Sequence, residues 1–230
     1  CLIDYFKKTK QKRSLRFLFI PETIGSISYI NKNIRKLKKN VIGGYNLSCV
    51  GDENNHSCML SKLETSPSDF SLLNAYKKLK INFKIYPFLQ RGSDERQYNS
   101  PGIDLPIASI FRSKYGNYKE YHTSLDNFDF ITSRGIEGAF KVAKEAIINL
   151  SNSIIPKYKN YCEPFLSKKN LYPTISTKGG KIKNKSFLDF LQYADGKHDL
   201  SYISKKIQLS LTDTKKIYNK LMFYKLITNV

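Results

Sequence analysis

Three residues whose side chains can bind metal ions or transfer protons are Glu22, Asp52 and His122. Glu22 lies two residues after an apolar run at 16–20, and Asp52 lies two residues after a second run at 45–50. Because open α/β sheets form their ligand sites beyond the carboxyl ends of the strands, we expect both carboxylates at one sheet edge. With a histidine they would suit zinc and leave one carboxylate to take a proton from water.

Each of these residues also has an ordinary structural interpretation. A helix N-terminus favours a negative charge, which would explain Glu22. Asp52 lies in a Gly-Asp-Glu-Asn-Asn stretch that is typical of a turn. His122 would then be a histidine at the surface. Residue type and spacing leave both interpretations open.

The elements that would position these residues alternate between strands and helices. The predicted strands are the apolar runs 16–20, 45–50, 81–86 and 105–111. The predicted helices are the amphipathic stretches 24–37, 70–79 and 135–150. This alternation predicts an α/β domain over residues 1–155, with a mixed, largely parallel sheet between helices.

The last third of the chain has a different pattern. Residues 156–185 contain scattered proline and glycine, which predicts a linker or crossing segment. Three short helices are predicted after it, at 186–194, 200–208 and 211–226, with Thr212 as an N-cap. They suit a helix-turn-helix in a small winged-helix-like α domain over 186–230.

Composition narrows the class of protein. The net charge of +20 would suit nucleic acid or an anionic membrane, but lysine dominates it, and we interpret it as a solvated surface. No apolar run reaches the roughly 18 residues of a membrane span, so we expect no membrane partner. Four cysteines without a C-x-x-C pair fit reduced thiols, and we expect a cytoplasmic location.

Three sequence blocks carry a resemblance to a known family. FLFIPETIGS (17–26), GSDERQYNSPGIDLPIASI (92–110) and EYHTSLDNFDFI (120–131) resemble, in the same order, segments of the co-catalytic zinc exopeptidases. More narrowly, the strings PETIGS, VGD, GSDERQ and YHTS are similar to a group of bacterial aminopeptidase-like domain proteins with a winged-helix C-terminus. Some members of that group are linked to polysaccharide biosynthesis.

The resemblance implies a role for each matching residue. Glu22 matches the general base, and Asp52 and His122 match metal ligands. Asp94 and Asp126 match residues that orient such ligands. The implied activity is zinc-dependent hydrolysis of a peptide or of an amide-containing small substrate. In this scheme Arg96 would bind an anionic group of the substrate.

The sequence departs from the family pattern at two places. Thr23 stands where the family has a second consecutive glutamate, which is a metal ligand. The family's earlier His-x-Asp and Asn-Asp blocks have no counterpart before Arg16. We therefore expect the C-terminal half of a catalytic domain, inactive alone, whose other ligands lie upstream.

Two other functions remain open. The same fold without catalysis would give a binding or scaffold protein in polysaccharide biosynthesis. The helix-turn-helix could bind nucleic acid, but residues 211–226 contain no arginine for base recognition. We therefore expect this part of the chain to make an intramolecular contact or to bind a protein partner, rather than DNA or RNA.

Overall fold

The computed structural model describes residues 1–166 and 184–230, which form two compact units at Cys1–Asn152 and Ser153–Val230. Much of the predicted linker at 156–185 therefore lies outside the described residues. Within it, residues 156–158 form a strand of the second unit instead of a linker.

The first unit is a four-stranded sheet with five helices. The helices are α1 (Leu2–Lys7), α2 (Ile24–Asn40), α3 (Pro67–Leu79), α4 (Glu95–Tyr98) and α5 (Ser133–Ser151). The strands are β1 (Gly44–Leu47), β2 (Ser57–Met59), β3 (Lys84–Tyr86) and β4 (Ile107–Phe111), in the order β1-β4-β2-β3. The pairs β1–β4 and β2–β3 are parallel, whereas β2 runs antiparallel to β4. The predicted mixed, largely parallel α/β class is confirmed.

The predicted strand at 16–20 is wrong for this chain. In the part of the chain that the structure describes, none of these residues makes a backbone–backbone hydrogen bond, and Phe19 is 84% exposed. A parallel strand depends on neighbours that are distant in sequence, and the described sheet ends at β1. Strand β2 was not predicted from the sequence.

Helices cover the sheet on both faces. Ala108 and Ile110 of β4 are buried in the cluster that α3 and α5 share. Ile107, which points to the opposite face of the same strand, joins a cluster with Ile30 and Leu37 of α2. None of the described helices combines the length and apolar character that crossing a membrane requires.

Helices α3 and α5 begin two or three residues before their predicted starts at 70 and 135, at capping residues. Ser66 and Asp69 form a reciprocal capping box in front of α3, with a proline in its first turn. Thr132 caps α5 by accepting a hydrogen bond from the amide of Gly135. Both helices therefore have a capped N-terminus.

The second unit is a winged-helix domain of three helices and a two-stranded sheet. Helices α6 (Asn184–Gln192), α7 (Leu200–Lys206) and α8 (Leu211–Phe223) accompany the antiparallel pair β5 (Pro156–Tyr158) and β6 (Ile227–Asn229). Ser210, not Thr212, is the N-cap of α8, because its hydroxyl accepts from the amide of Asp213. Phe190, Ile203 and Ile217 are fully buried between the helices.

A buried carboxylate, that of Glu95, joins the sheet of the first unit to the loops around it. Glu95 is 1% exposed and accepts hydrogen bonds from the Gly92 and Ser93 amides and from the Tyr115 hydroxyl. Its other oxygen accepts from Asn46 of β1 at 3.2 Å. A buried charge is tolerated when it is hydrogen-bonded in this way. Burial raises the pKa of Glu95, but these bonds lower it by more, and the net shift is downward.

We predict that Glu95→Gln destabilises the protein and that the penalty depends on pH. At pH 7 the loss should be about 1–3 kcal/mol, because buried donors lose a charged acceptor. A carboxyl whose pKa is lowered by folding stabilises the protein above its unfolded pKa of about 4.3 and loses that contribution as the pH falls further. The difference in Tm between wild type and variant should hold from pH 7 to about 5 and shrink below it.

The exposed residue Glu64 provides the control for this comparison. Glu64→Gln should leave Tm nearly unchanged across the same pH range, since its charge is solvated. A Glu95→Gln penalty that is the same at pH 7 and pH 3.5 would contradict the assignment.

Candidate functional site

The candidate site begins at a strained turn in front of α2. Thr23 has φ 62° and ψ −68°, and the amide of Ile24 donates to the Glu22 carbonyl at 2.7 Å. These values define a γ-turn of the rare, strained type, and a β-branched residue is disfavoured in it. Strain of this kind persists only where the surroundings hold it in place.

Asp94 is the residue that holds this turn. Its Oδ1 accepts from the Thr23 amide at 2.7 Å and from the Ser26 hydroxyl at 2.8 Å. Asp94 is 9% exposed and Ser26 is fully buried, so little water competes for these bonds. Asp94 therefore fixes both the turn and the first turn of the helix.

Arg96 and Thr23 surround the Glu22 carboxylate. Arg96 Nη2 donates to Thr23 Oγ1 at 2.8 Å, and that hydroxyl donates to Glu22 Oε1 at 2.9 Å. Arg96 also lies 3.8 Å from Glu22 Oε1. The Glu22 side chain is 59% exposed. Its carboxylate is therefore bound at Oε1 by the Thr23 hydroxyl and is otherwise accessible to solvent. The arginine predicted to bind a substrate anion contacts the turn itself.

Asp52 has a structural partner set. Its Oδ2 accepts from the Ser113 amide at 2.8 Å, and its Oδ1 accepts from the Ser113 hydroxyl at 2.7 Å. Oδ1 also accepts from the Asn54 amide at 3.0 Å, and Asp52 is 2% exposed. These three donors tie the turn after β1 to the loop after β4.

His122 lies in an exposed turn with a positive φ of 58°. Its ring stacks on Tyr121 at a centroid distance of 4.0 Å. Burial raises the pKa of Tyr121, and the charges of Cys49 and Glu22 raise it further. The negative charge of Glu22 therefore contributes to the raised pKa of Tyr121.

Asp126, predicted to orient a ligand, is exposed in the same loop, with its amide donating to Thr123. Its charge contributes to the raised pKa of Tyr118, after burial and the contact of that hydroxyl with Cys49. No contact in the described part of the chain ties Asp126 to Asp52 or to His122 as an orienting residue.

The described residues do not by themselves complete a zinc site. Within 1–166 and 184–230, no three His, Cys, Asp or Glu side chains come together as a group that could hold a metal ion. Glu22, Asp52 and His122 are thus not assembled into the predicted set. The spacing could not show this, because it does not reveal that Ser113 and Asn54 engage the Asp52 carboxylate.

Sequence reasoning missed several residues at this edge of the sheet. Arg112 Nε donates to the Asp52 carbonyl at 2.7 Å, and its guanidinium contacts His56. Burial lowers the pKa of His56 to about 4, and the positive charge of Arg112 contributes to this shift. The negative charge of Asp52 raises the pKa of His56 by a smaller amount. Arg112 and His56 are 56 positions apart, so no local pattern could have shown their contact.

Two family models match the chain. Residues 1–153 match a domain of unknown function, DUF4910, and residues 154–229 match a winged helix-turn-helix domain.

A curated protein of Clostridium acetobutylicum is 36% identical over 206 residues, which are 86% of this chain and 46% of that protein. Its name is "Putative polysaccharide biosynthesis protein with aminopeptidase-like domain". The chain thus spans about half the length of the curated relative it matches. This relative confirms the resemblance to aminopeptidase-like domain proteins.

Two solved structures are also similar to this chain. The crystal structure of a "putative peptidase" from Clostridium acetobutylicum has a TM-score of 0.65 and 31% identity, over 100% of this chain and 51% of that chain. An aminopeptidase from Aneurinibacillus sp. strain AM-1 has a TM-score of 0.47 and 19% identity, over 54% of this chain and 29% of that chain. That second likeness is too low to support an argument.

We predict that Asp94→Ala loosens the turn that presents Glu22. The loss of two hydrogen bonds to a buried carboxylate should lower the free energy of unfolding by about 1–3 kcal/mol. Adding Thr23→Gly to this variant should recover part of the loss, because glycine adopts a positive φ without steric cost. Chemical denaturation of both variants checks this.

The matched control is Asp129→Ala, which removes an exposed carboxylate and should change stability by less than about 0.5 kcal/mol. The assignment fails if Asp94→Ala is as mild as this control.

Proposed function

Because this chain belongs to the DUF4910 family, and its relatives carry peptidase and aminopeptidase-like names, we propose that the full-length protein hydrolyses peptide or amide bonds with Glu22 as general base. The observation that carries the proposal is the γ-turn at Thr23, which presents the Glu22 carboxylate to solvent while Asp94 holds its backbone. Strained backbone that is held by its surroundings is concentrated at functional sites.

Glu22 has the geometry that a general base needs. Among the residues that the structure describes, only one carboxylate oxygen of Glu22, Oε1, has a hydrogen-bond partner, the Thr23 hydroxyl. The solvent-facing carboxylate can therefore accept a proton from a water molecule that attacks a bound carbonyl, and can return it to the amine that leaves when the C–N bond breaks. Thr23 and Arg96 limit the movement of the side chain, which favours proton transfer in a fixed direction.

The substrate class follows from the charge beside Glu22. The Arg96 side chain is 41% exposed, and a guanidinium has five N–H donors, of which the Thr23 contact uses one. The remaining donors can bind a carboxylate or another anionic group of a small peptide or amide. A zinc ion would need ligands beyond the described residues, so the proposed proton transfer is assigned to Glu22 alone.

A second candidate, a non-catalytic binding protein in polysaccharide biosynthesis, has an observation in its favour. Asp52 and Asp94 use their carboxylates to hold the backbone of this chain, and the described residues contain no metal-holding group. An aminopeptidase-like fold in this state would recognise a ligand without cleaving it.

The test uses full-length protein expressed from the complete reading frame. A panel of aminoacyl amides and short peptides should be hydrolysed by the wild type, and Glu22→Gln should lower kcat/KM by at least about 100-fold. Glu137→Gln is the matched control, because the Glu137 and Glu22 side chains are both 59% exposed. It should retain wild-type activity.

Two results would count against this function. Wild-type activity in a folded Glu22→Gln variant would remove Glu22 as the base. A folded wild type that cleaves nothing in the panel but binds one of its members would favour the non-catalytic candidate. Zinc analysis of the same preparation determines whether the longer protein completes a metal site.

A further inference from the structure

Lys114, in the loop after β4, is buried but makes only one hydrogen bond through its side chain. It is 6% exposed, and its ammonium donates to the neighbouring Tyr115 carbonyl at 3.2 Å. An ammonium has three N–H donors, and the other two have no acceptor in the described part of the chain. Burial lowers the pKa of Lys114, and the charges of Glu95 and Cys49 oppose this shift without reversing it. Lysine is rarely buried without a partner, so these two N–H groups are available to a ligand.

The nearby carboxylate of Glu95 does not use these donors. Its Oε1 accepts hydrogen bonds from three groups and its Oε2 from two, and none of these donors is Lys114. No ion pair between described residues includes Lys114. Glu95 therefore attracts the ammonium from a distance and leaves its N–H groups free.

A second cation lies beside the same aromatic rings. Lys114 Nζ lies 4.1 Å from the centroid of the Tyr115 ring and 5.4 Å from that of the Tyr86 ring. Lys84 Nζ, from β3, lies 4.6 Å from the centroid of the Tyr86 ring. A ring face attracts a cation, but two ammonium groups around one ring repel each other.

A third cation, Arg91, extends this group. Its guanidinium lies 5.3 Å from the centroid of the Phe88 ring, and Phe88 packs against the cluster that contains Tyr86 and Tyr115. The amide of the next residue, Gly92, donates to the Tyr115 hydroxyl at 2.6 Å. We call these residues the cation–ring cluster: Lys84, Tyr86, Phe88, Arg91, Lys114 and Tyr115.

The cation–ring cluster has an excess of positive charge. Its three cations face one carboxylate, that of Glu95, which contacts Tyr115 and is ionised at pH 7 because its pKa is lowered. Lys84 and Arg91 form no ion pair with any other described residue. Both are exposed, so a ligand can reach them from solvent. A ligand with two negative charges would balance the cluster.

We infer that the cation–ring cluster binds a phosphate group, with Lys84, Arg91 and Lys114 donating to its oxygens. A phosphate group carries close to two negative charges at neutral pH and has several acceptor oxygens, and lysine and arginine are the side chains that commonly bind it. Leu89, which is 85% exposed between Phe88 and Arg91, offers an apolar surface to the organic part of a phosphate ester. Binding at this cluster does not require the hydrolysis proposed for Glu22.

Calorimetric titration of the full-length protein with inorganic phosphate, at pH 7 and constant ionic strength, measures this binding directly. Phosphate should bind saturably, and acetate should bind at least about 10-fold more weakly, because a dianion interacts more strongly with several cations than a monoanion does.

Variants of two lysines assign the binding to the cluster. Lys84→Gln and Lys114→Met should each weaken phosphate binding by at least about 10-fold, because each removes a charged donor. Methionine keeps the apolar stem of the buried lysine, and Lys84→Gln at an exposed position decides the result if Lys114→Met does not fold. The matched control is Lys206→Gln, since Lys206 is also exposed and lies 5.4 Å from the Tyr202 ring centroid. It should bind phosphate as the wild type does.

Phenyl phosphate distinguishes the two sources of a phosphate group. Tighter binding of this ester than of inorganic phosphate assigns the site to an organic phosphate, whereas equal or weaker binding assigns it to the free ion, and either result supports the site. Three results would overturn it: no saturable binding of phosphate, equal affinity for acetate and phosphate, or equal phosphate affinity in Lys84→Gln and Lys206→Gln.

Discussion

Two adjacent buried carboxylates, Asp94 and Glu95, organise the carboxyl edge of the sheet. Asp94 holds the backbone in front of α2, and Glu95 joins β1 to the loop at Gly92 and to Tyr115. Burying a carboxylate is costly unless its oxygens accept hydrogen bonds, and each of these two has several donors. The position of Glu22 therefore depends on charges that solvent hardly reaches.

The carboxylates of this region have two different roles. Some stabilise the fold, and one is exposed and can react with a ligand. Asp52 and Asp94 are buried with their donors, whereas the Glu22 carboxylate lies at the surface on a turn whose backbone Asp94 holds. The chemistry available to the described residues is therefore that of one oriented carboxylate beside a guanidinium. It differs from the two-carboxylate and histidine set that the residue types had indicated.

Elements that depend on interactions between residues close in sequence were predicted well, and elements that depend on distant residues were not. Helices α2, α3 and α5 were predicted within a few residues, because their apolar periodicity and caps are local. The strand predicted at 16–20 is not formed in this structure, because the pairing of a parallel strand depends on neighbours that are distant in sequence. Ser210 and Thr212 are both good N-caps, and only the start of α8 decided between them.

The site was predicted less completely than the fold, for the same reason. Motif order pointed to Glu22, Asp94 and Arg96, and these three are brought together around Thr23. Their neighbour Glu95 was missed, although it is the more buried carboxylate. A glutamate in sequence carries no sign of burial, and its partner Tyr115 is 20 positions away. His122 was predicted from its motif, but its surroundings depend on a loop without a periodic pattern.

The amide proton of Thr23 gives the most direct measurement of the central claim, that a buried carboxylate holds the turn that presents Glu22. Its exchange with solvent, followed by NMR, should be slowed at least about 100-fold relative to an unprotected amide, because it donates to Asp94 at 2.7 Å. In the Asp94→Ala variant this protection should be lost while that of α5 persists. An unprotected Thr23 amide in the wild-type protein would contradict the account.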